Sequence, residues 1–465
     1  MRKLIDAGLW RAVCLIGCLF TTGSGFATTD ERPPNLIIIL TDDQGWWDVG
    51  FNGCTDIPTP NLDRIANEGV RFSAGYVSHS VCGPSRAGLI TGRYQDRFGA
   101  SRNPTVDPSV PNNGVPRGEK MISELLKPRG YATMAVGKWH LGTHPDLTPD
   151  RRGFDEFYGF LSGGHDYFPQ NLVHEDLTEV RQQWGWYRTK LLHNGKRVAT
   201  DDYLTDELSD MAVDFVERKK DQPFFLYLAY NAPHTPMQAT QKYLDRFPHI
   251  EHERRRTYAA MVSAVDDGVG RLLDTLDKLE IADDTLVVFL SDNGGASNNA
   301  SRNRPLRGNK GSMYEGGLRV PFAMRWPGKI PAGLDYEHPV ISLDIAATIA
   351  AHAKADVPDN KPLDGVDLIP YLSGEVKGPP HDALYWRMFD KGSRAMRLGD
   401  HKLVLDRGTA WQLYNLGADI KETNDLSGRS TAEVKRLLGL YEQWESQMVE
   451  PAYPGLGNWT FDKKK

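Results

Sequence analysis

The chain has 465 residues, with 55 lysines and arginines against 61 aspartates and glutamates, 40% hydrophobic residues and a mean hydropathy of −0.48. This is the composition of an ordinary globular protein, and it excludes a polytopic membrane protein and a largely disordered chain. At roughly 150 residues per domain the length suggests about three domains, but large α/β enzymes exceed that size as one unit, so two domains fit equally well.

Residues 1–27 have the pattern of a secretory signal peptide. Arg2, Lys3 and Arg11 precede an apolar run from Ala12 to Phe20, and small and polar residues then lead to Ala27. The run is too short to cross a bilayer, which takes about 20 apolar residues. We therefore expect an exported protein, periplasmic or secreted, with no transmembrane span.

Export changes the charge and the cysteine content of the mature chain. Removal of residues 1–27 takes away three basic residues and one acidic residue, so the net charge goes from −6 to −8 and a nucleic-acid partner is not expected. Residues 15–18 also resemble a bacterial lipobox, which leaves a lipid anchor at Cys18 as the alternative to cleavage near Ala27. Cys54 and Cys82 remain. The sequence does not decide whether they form a disulfide, because a core of this size does not need one.

Continuous apolar runs predict buried parallel strands, each followed by polar residues at the ligand-binding edge of a sheet. The runs are Asn35–Leu40, Tyr131–Val136, Phe224–Tyr230 and Thr285–Leu290. A helix predicted from Pro60 to Gly69, with Thr59 as its N-cap, follows the first strand, and another over Arg255–Leu279 precedes the last. Strands that alternate with helices predict an α/β fold.

After about Gly374 the pattern changes to short alternating segments, which predict a small antiparallel sheet with a turn at Gly399-Asp400. The amphipathic stretch Thr431–Met448 predicts a closing helix. We therefore predict a large, mixed, mostly parallel sheet sandwiched by helices in a catalytic domain of residues 28–375, and a smaller C-terminal α+β subdomain of residues 376–465.

Two predicted strand ends carry side chains with oxygen ligands only. Asp42 and Asp43 follow the first strand, and Asp292 and Asn293 follow the last. Either pair alone is also typical of a turn. Two pairs that converge on one edge favour a hard cation such as calcium or magnesium.

The segment from Cys82 to Gly92 resembles the signature of type I sulfatases, which belong to the alkaline phosphatase superfamily. Cys82, Pro84, Ser85, Arg86 and the later Leu, Thr and Gly all fall at the spacing of that family. In the family the cysteine is oxidised after synthesis to Cα-formylglycine, or 3-oxoalanine. The resemblance therefore implies a formylglycine-generating enzyme as a maturation partner.

Further segments that resemble the family extend from Asn35 to about Pro321. They are Thr41–Gly45, Gly137–His140, Ala232–Pro236, Ser291–Gly295, Asn309–Gly311 and Tyr314–Gly317. The resemblance implies one calcium ion beside residue 82, held by Asp42, Asp43, Asp292 and Asn293. It also implies that five residues surround the nucleophile and the sulfate: Arg86, Lys138, His140, His234 and Lys310.

The residue types suit hydrolysis of a sulfate ester, because fixed cations stabilise the charge that develops on the sulfate oxygens. A thiol would form a stable adduct with sulfur, whereas a hydrated aldehyde has one hydroxyl to attack and a second whose deprotonation expels sulfate. By resemblance, His140 is the base for that expulsion and His234 is the acid for the leaving alcohol.

The expected substrate is a sulfated carbohydrate, either a polysaccharide or an oligosaccharide. His165 and Arg304, one of three arginines in 302–307, are candidate substrate contacts, and Trp184 and Trp186 are candidates for the wall of a sugar groove. One alternative is a phosphatase, phosphodiesterase or phosphonate hydrolase of the same superfamily, which would use two metals or a Ser or Thr nucleophile. The other is a non-catalytic glycan-binding lipoprotein.

We expect Cys82 to be formylglycine in the active protein. Cys82→Ser should lose nearly all sulfatase turnover, because an alcohol lacks the second hydroxyl that expels sulfate. The mass of the peptide containing residue 82, measured beside turnover, checks this expectation. Full activity of the serine variant, or a Cys54–Cys82 disulfide in the native protein, would contradict it.

Overall fold

A ten-stranded mixed sheet forms the centre of the protein in a computed structural model that describes residues 32–456. The strands are β1 (Asn35–Thr41), β2 (Val70–Phe72), β3 (Gly75–Tyr76), β4 (Ala132–Lys138), β5 (Glu156–Phe160), β6 (Leu191–His193), β7 (Lys196–Val198), β8 (Phe224–Ala229), β9 (Thr285–Ser291), β10 (Phe322–Arg325), β11 (Leu334–Tyr336), β12 (Val340–Ile341), β13 (Ala383–Met388), β14 (Ser393–Leu398), β15 (His401–Leu405) and β16 (Gln412–Asn415). The helices are α1 (Pro60–Asn67), α2 (Cys82–Thr91), α3 (Ile122–Leu126), α4 (Leu204–Lys219), α5 (Gln241–Leu244), α6 (Glu253–Lys278), α7 (Glu315–Leu318), α8 (Leu343–His352), α9 (Ile369–Leu372) and α10 (Thr431–Glu445). The predicted signal peptide and Cys18 lie outside the described residues.

The order of strands in the large sheet is β11-β2-β10-β9-β1-β8-β4-β5-β6-β7. The five inner strands from β9 to β5 are parallel to one another, whereas β10 and the hairpin β6–β7 run antiparallel to their neighbours. The hairpin turns at Asn194-Gly195, both with positive φ, as the sequence pair predicts. All inner strands therefore end at the same edge of the sheet.

Strand β1 shows why the sheet is covered on both faces. Its side chains alternate, so Leu36, Ile38 and Leu40 pack into one core with helices α2, α3 and α8. Ile37 and Ile39 pack into a second core with α1, α4 and α6. A continuous apolar run is what a strand between two cores requires.

The four-stranded antiparallel sheet β13-β14-β15-β16 and helix α10 form a third core. Trp386, Leu403 and Tyr441 from this part pack with Tyr76 and Met313 of the large domain. The predicted fold class is thus confirmed. The domain boundary at 375/376 stays a prediction, since the described residues from Pro33 onward cluster as one unit.

The predicted bounds agree with the observed ones to within a few residues. Helix α6 covers Glu253–Lys278, and the closing helix ends at Glu445, three residues before the predicted end. Within the described residues, no helix is both long enough and apolar enough to cross a membrane.

Candidate active site

The register of β1 and β9 brings the two predicted oxygen pairs together. Thr41 lies opposite Ser291 in this parallel pair, so Asp42 and Asp292, the next residue of each chain segment, become neighbours. Both carboxylates are buried. The charge cluster predicted from two distant segments therefore forms at the carboxyl edge of the sheet.

Asp43 and Asn293 complete this cluster. Asp43 has a φ of 64°, a left-handed backbone that a non-glycine residue rarely adopts, and its Oδ1 accepts a hydrogen bond of 2.7 Å from Asn293 Nδ2. One oxygen each of Asp42, Asp43 and Asp292 lies, together with Cys82 Sγ, in a group whose atoms are all within 4.8 Å of one another. Four ligand atoms at this spacing match a site for one metal ion.

Two oxygens of the cluster lack any hydrogen-bond partner among the described residues. These are Asp292 Oδ1 and Asn293 Oδ1, and both are buried. Burial, together with the charge of Asp42, raises the pKa of Asp292 to about 6, against the opposing effect of Arg86. Buried acceptors without partners are rare in folded proteins, and hard oxygen donors suit calcium or magnesium. The residues present therefore fit the implied cation.

Each carboxylate of the cluster also forms a close ion pair with a lysine or an arginine. The pairs are Asp42 with Lys138, Asp43 with Lys310 at 2.6 Å, and Asp292 with Arg86 at 2.8 Å. Burial opposes ionisation of Asp42, but Lys138 and its other cationic neighbours hold its pKa well below the usual range. Three negative charges thus meet three positive ones. A divalent cation would make the site net positive, as binding of an anionic ester requires.

Cys82 is the first residue of α2 and lies directly beside the carboxylates. Its Sγ is 3.6 Å from Asp42 Oδ1 and 3.1 Å from Lys310 Nζ. Burial raises the pKa of the Cys82 thiol to about 12, because the nearby lysines do not outweigh it. The unmodified side chain is therefore a protonated thiol at neutral pH and a poor nucleophile. Cys54 and Cys82 are both free, so the disulfide left open by the sequence does not form.

The two predicted histidines, His140 and His234, are buried and lie near Cys82. His140 has a φ of 58°, and neither of its buried ring nitrogens has a hydrogen-bond partner among the described residues. Burial and the charges of Lys138 and Arg86 hold its pKa well below the ordinary value, so the ring is neutral.

His234 is held by the chain that follows it. Its Nδ1 lies 2.6 Å from the carbonyl oxygen of Thr235, to which it donates, and its Nε2 lies 3.7 Å from Asp43 Oδ2. Burial lowers the pKa of His234 although Asp42 and Asp43 oppose the shift. In this tautomer Nε2 is an acceptor, so His234 must take up a proton before it can give one.

A cavity of about 470 Å³ opens above Cys82. Its lining residues are Cys82, Asn103, His140, Gly163, Trp184, Trp186, Tyr187, His234, Thr235, Pro236, Asn298, Lys310 and Leu456. Arg86, Lys138 and the four oxygen ligands of the predicted metal site are buried and are not among these lining residues. Asn103 and Asn298 were not predicted. Asn103 accepts a hydrogen bond from the Gly83 N–H at 2.8 Å, but it lies in a loop without a motif that could have identified it.

The structure places His165 and Arg304 away from this cavity. The ring of His165 is fully buried and stacks on Phe160, and its nitrogens lie 2.8 Å from the carbonyl oxygens of Asp166 and Thr189. Its hydrogen bonds therefore serve the fold. Arg304 is exposed, with its guanidinium 3.8 Å from the ring centroid of Trp47.

The two candidate tryptophans of the groove have different environments. Trp184 is 53% exposed at the rim of the cavity, whereas Trp186 is 1% exposed. Their rings lie 5.2 Å apart, centroid to centroid. Trp186 therefore supports the wall, and Trp184 is the ring that a large substrate can reach.

Two glycines of the loop after β5 make room for cavity side chains. A Cβ on Gly163 would lie 2.7 Å from His140 Nε2, and one on Gly164 would lie 2.6 Å from the hydroxyl oxygen of Tyr187. Side chains at these positions would push the imidazole or the phenol aside. The glycines therefore position both rings by leaving space for them.

Comparison with known proteins identifies the family of this fold and site. The sequence pattern of the Sulfatase family matches residues 34–355, and that of the N-sulphoglucosamine sulphohydrolase C-terminal family matches residues 308–445. N-acetylgalactosamine-6-sulfatase of Mus musculus is 34% identical over 86% of this chain and 77% of its own. Arylsulfatase A of Homo sapiens is 36% identical over 83% of this chain and 76% of its own.

A solved structure resembles most of this chain. The crystal structure of Ps i-CgsB in complex with k-i-k-neocarrahexaose has a TM-score of 0.86 and 44% sequence identity to this chain. The similarity covers 91% of this chain and 95% of that chain.

We expect Gly163→Ala to lower kcat by about ten- to a hundredfold with little change in KM, because the new methyl group displaces the His140 ring from its reacting position. Steady-state kinetics measures both constants, and thermal unfolding checks that the variant is folded. Gly428→Ala is the matched control, since it has open space around its Cβ. An unchanged kcat in Gly163→Ala would show that the position of His140 does not matter for turnover.

Proposed function

The chain belongs to the sulfatase family and is a sulfuric ester hydrolase, and we propose that its substrate is a sulfated carbohydrate, either an oligosaccharide or a polysaccharide. The observation that carries this proposal is the cavity above Cys82, whose rim is formed by the exposed ring of Trp184. Its volume of about 470 Å³ lies in the range of pockets for small ligands, and aromatic rings bind the apolar faces of sugars.

The relatives support the same substrate class. The name of one relative describes a sulfatase of an amino sugar, and the structure of another contains a carrageenan oligosaccharide. The similarity to the second relative covers 91% of this chain.

In the proposed active form, Asp42, Asp43, Asp292, Asn293 and residue 82 hold a calcium ion. When bound, calcium supplies a Lewis acid that polarises the sulfate oxygens. Asp42 and Asp292 keep their positions through the backbone of β1 and β9, so the ligands are set by the sheet before any ion binds. The two oxygens without partners, on Asp292 and Asn293, are the ones that gain most from coordination.

Residue 82 becomes formylglycine in this proposal, and its hydrate supplies the two hydroxyls that attack sulfur and expel sulfate. The ammonium of Lys310 lies 3.1 Å from Sγ of the unmodified Cys82. It therefore stabilises negative charge on the side chain of residue 82. The ring nitrogens of His140 have no hydrogen-bond partner among the described residues, and His140 accepts a proton from residue 82. His234 presents Nε2 to the cavity and exchanges a proton with the leaving oxygen.

The maturation and location of the enzyme belong to the same proposal. A formylglycine-generating enzyme of the host would act on the segment that begins at Cys82. The pattern of residues 1–27 supports export to the periplasm or the medium, with a lipid anchor at Cys18 as the alternative.

We expect Asp292→Asn to lower calcium affinity roughly tenfold or more and to lower kcat with it, because one anionic ligand is lost. Metal analysis of the purified variant measures calcium content independently of activity. Asp284→Asn is the matched control, because Asp284 is exposed at the opposite end of the same strand. Zinc at full occupancy in the native protein would favour the phosphatase alternative instead.

We expect the native enzyme to hydrolyse sulfated oligosaccharides with a higher kcat/KM than p-nitrophenyl sulfate. Trp184→Ala should lower kcat/KM for the oligosaccharides about tenfold more than for the aryl sulfate, because only the larger substrate reaches this ring. Trp184→Phe, which keeps an aromatic ring, should recover most of the loss. The panel contains carrageenan oligosaccharides and chondroitin sulfate oligosaccharides. Equal losses on both substrate types would show that Trp184 does not bind the sugar. Turnover of the aryl sulfate alone would refute the carbohydrate substrate.

A further inference from the structure

A second cavity, of about 300 Å³, adjoins the cavity above Cys82. Asn103, Trp184 and Leu456 line both cavities, so the two form one continuous groove with Trp184 at the junction. The other lining residues of the second cavity are His79, Val81, Ser101, Arg102, Gln183, Met388, Asp390, Lys391 and Gly455. A substrate bound at residue 82 can therefore extend past Trp184 into this space.

The charged residues that line the second cavity carry one more positive than negative charge. Lys391 is exposed and has no ion-pair partner among residues 32–456. The other cation of the lining, Arg102, donates hydrogen bonds of 2.8 and 3.0 Å from Nε to the two carboxylate oxygens of Asp390, so that pair is neutral. Lys391 is thus the source of the net charge of this cavity.

The charges around Lys391 make its ammonium a better partner for an anion. Partial burial and the nearby charge of Arg407 lower its pKa, and the charge of Asp406 opposes this shift. His79 lies beside Lys391 and is buried. Burial and the charge of Lys391 lower the pKa of this imidazole to about 3, so His79 is neutral and adds no charge to the cavity. An ammonium in such a setting gains most from an anionic ligand.

Lys391 also lies next to the catalytic loop. Its Nζ is 3.3 Å from the position that a Cβ on Gly311 would occupy, and Gly311 follows Lys310 directly. Arg407 donates a hydrogen bond of 3.2 Å to the carbonyl oxygen of Gly311. Lys391 therefore lies beside the residue that follows Lys310, and Lys310 itself contacts Cys82 Sγ.

We propose that the second cavity is a subsite for the sugar next to the one that loses its sulfate, and that Lys391 binds an anionic substituent, sulfate or carboxylate, on that neighbouring sugar. The subsite rests on the proposed carbohydrate substrate and adds to it a preference for a doubly charged glycan. Trp184 stacks on the chain between the two sugars.

The test compares pairs of oligosaccharides that differ only in the charge of the neighbouring sugar. One pair comes from carrageenan. One member has sulfate on a single sugar, and the other has sulfate on that sugar and also on its neighbour. The other comes from chondroitin sulfate, with the uronic carboxylate intact or reduced to an alcohol. Native enzyme should have a KM roughly tenfold or more lower for the charged member of at least one pair, since a charge-assisted contact is lost without it.

Lys391→Met should remove this preference, so that the two members of the pair have the same KM. Lys377→Met is the matched control, because Lys377 is an exposed lysine away from both cavities and should keep the preference. The pair that shows the preference distinguishes a sulfate from a carboxylate ligand.

Two results would overturn the subsite in distinguishable ways. If the native enzyme hydrolyses the oligosaccharides but shows no preference, or if Lys391→Met keeps it, the subsite is wrong and the carbohydrate substrate stands. If the native enzyme hydrolyses p-nitrophenyl sulfate and none of the oligosaccharides, the carbohydrate substrate is wrong and the subsite fails with it.

Discussion

The structure depends on buried carboxylates that meet where β1 and β9 end. Asp42, Asp43 and Asp292 repel one another at this distance unless positive charge surrounds them. Lys138, Lys310 and Arg86 come from three other segments of the chain and supply that charge. The carboxylates thus fix the position of the cations, and one of these cations, Lys310, lines the cavity in which an anionic ester would bind.

The C-terminal sheet helps to hold this arrangement. Lys402 of β15 is fully buried, 2.8 Å from Glu315 Oε1 and 2.9 Å from Glu422 Oε1. Glu315 begins α7, a few residues after Lys310, and its backbone N–H donates a hydrogen bond of 2.7 Å to Glu422 Oε2. Removal of one partner from a buried ion network is destabilising, because it leaves an unpaired charge in the core. These contacts therefore hold the loop that carries Lys310 in one position. The four-stranded sheet therefore contributes to the site, although none of its strands lines the cavity above Cys82.

Substrate recognition follows from the same geometry. The chain carries a net charge of −6, so long-range attraction does not bring a polyanion to this protein. Selectivity must come from local contacts along the groove, at the ring of Trp184 and the ammonium of Lys391. Screening by salt is weak over such short distances, which makes local cations effective on a negatively charged protein.

The sequence by itself determined four inner strands of the large sheet, their ends and the residues that meet there. Continuous apolar runs are typical of strands covered on both faces, and parallel strands present their last residues at one edge, so Asp42 and Asp292 were predicted as neighbours across 250 positions. Cys82, His140, His234 and Lys310 fall in segments that resemble a known family.

Tertiary structure alone decided which of the other polar and aromatic residues face the groove. His165 is two residues from Gly163, which lines the cavity, but its own ring is buried in the core. There each ring nitrogen lies within hydrogen-bond distance of a backbone carbonyl oxygen. Trp184 and Trp186 are two residues apart, and a left-handed backbone at Trp184 followed by a short helical turn exposes one ring and buries the other. Lys391 joins the groove from a different part of the chain. Such choices depend on packing between segments distant in sequence, which local periodicity does not encode.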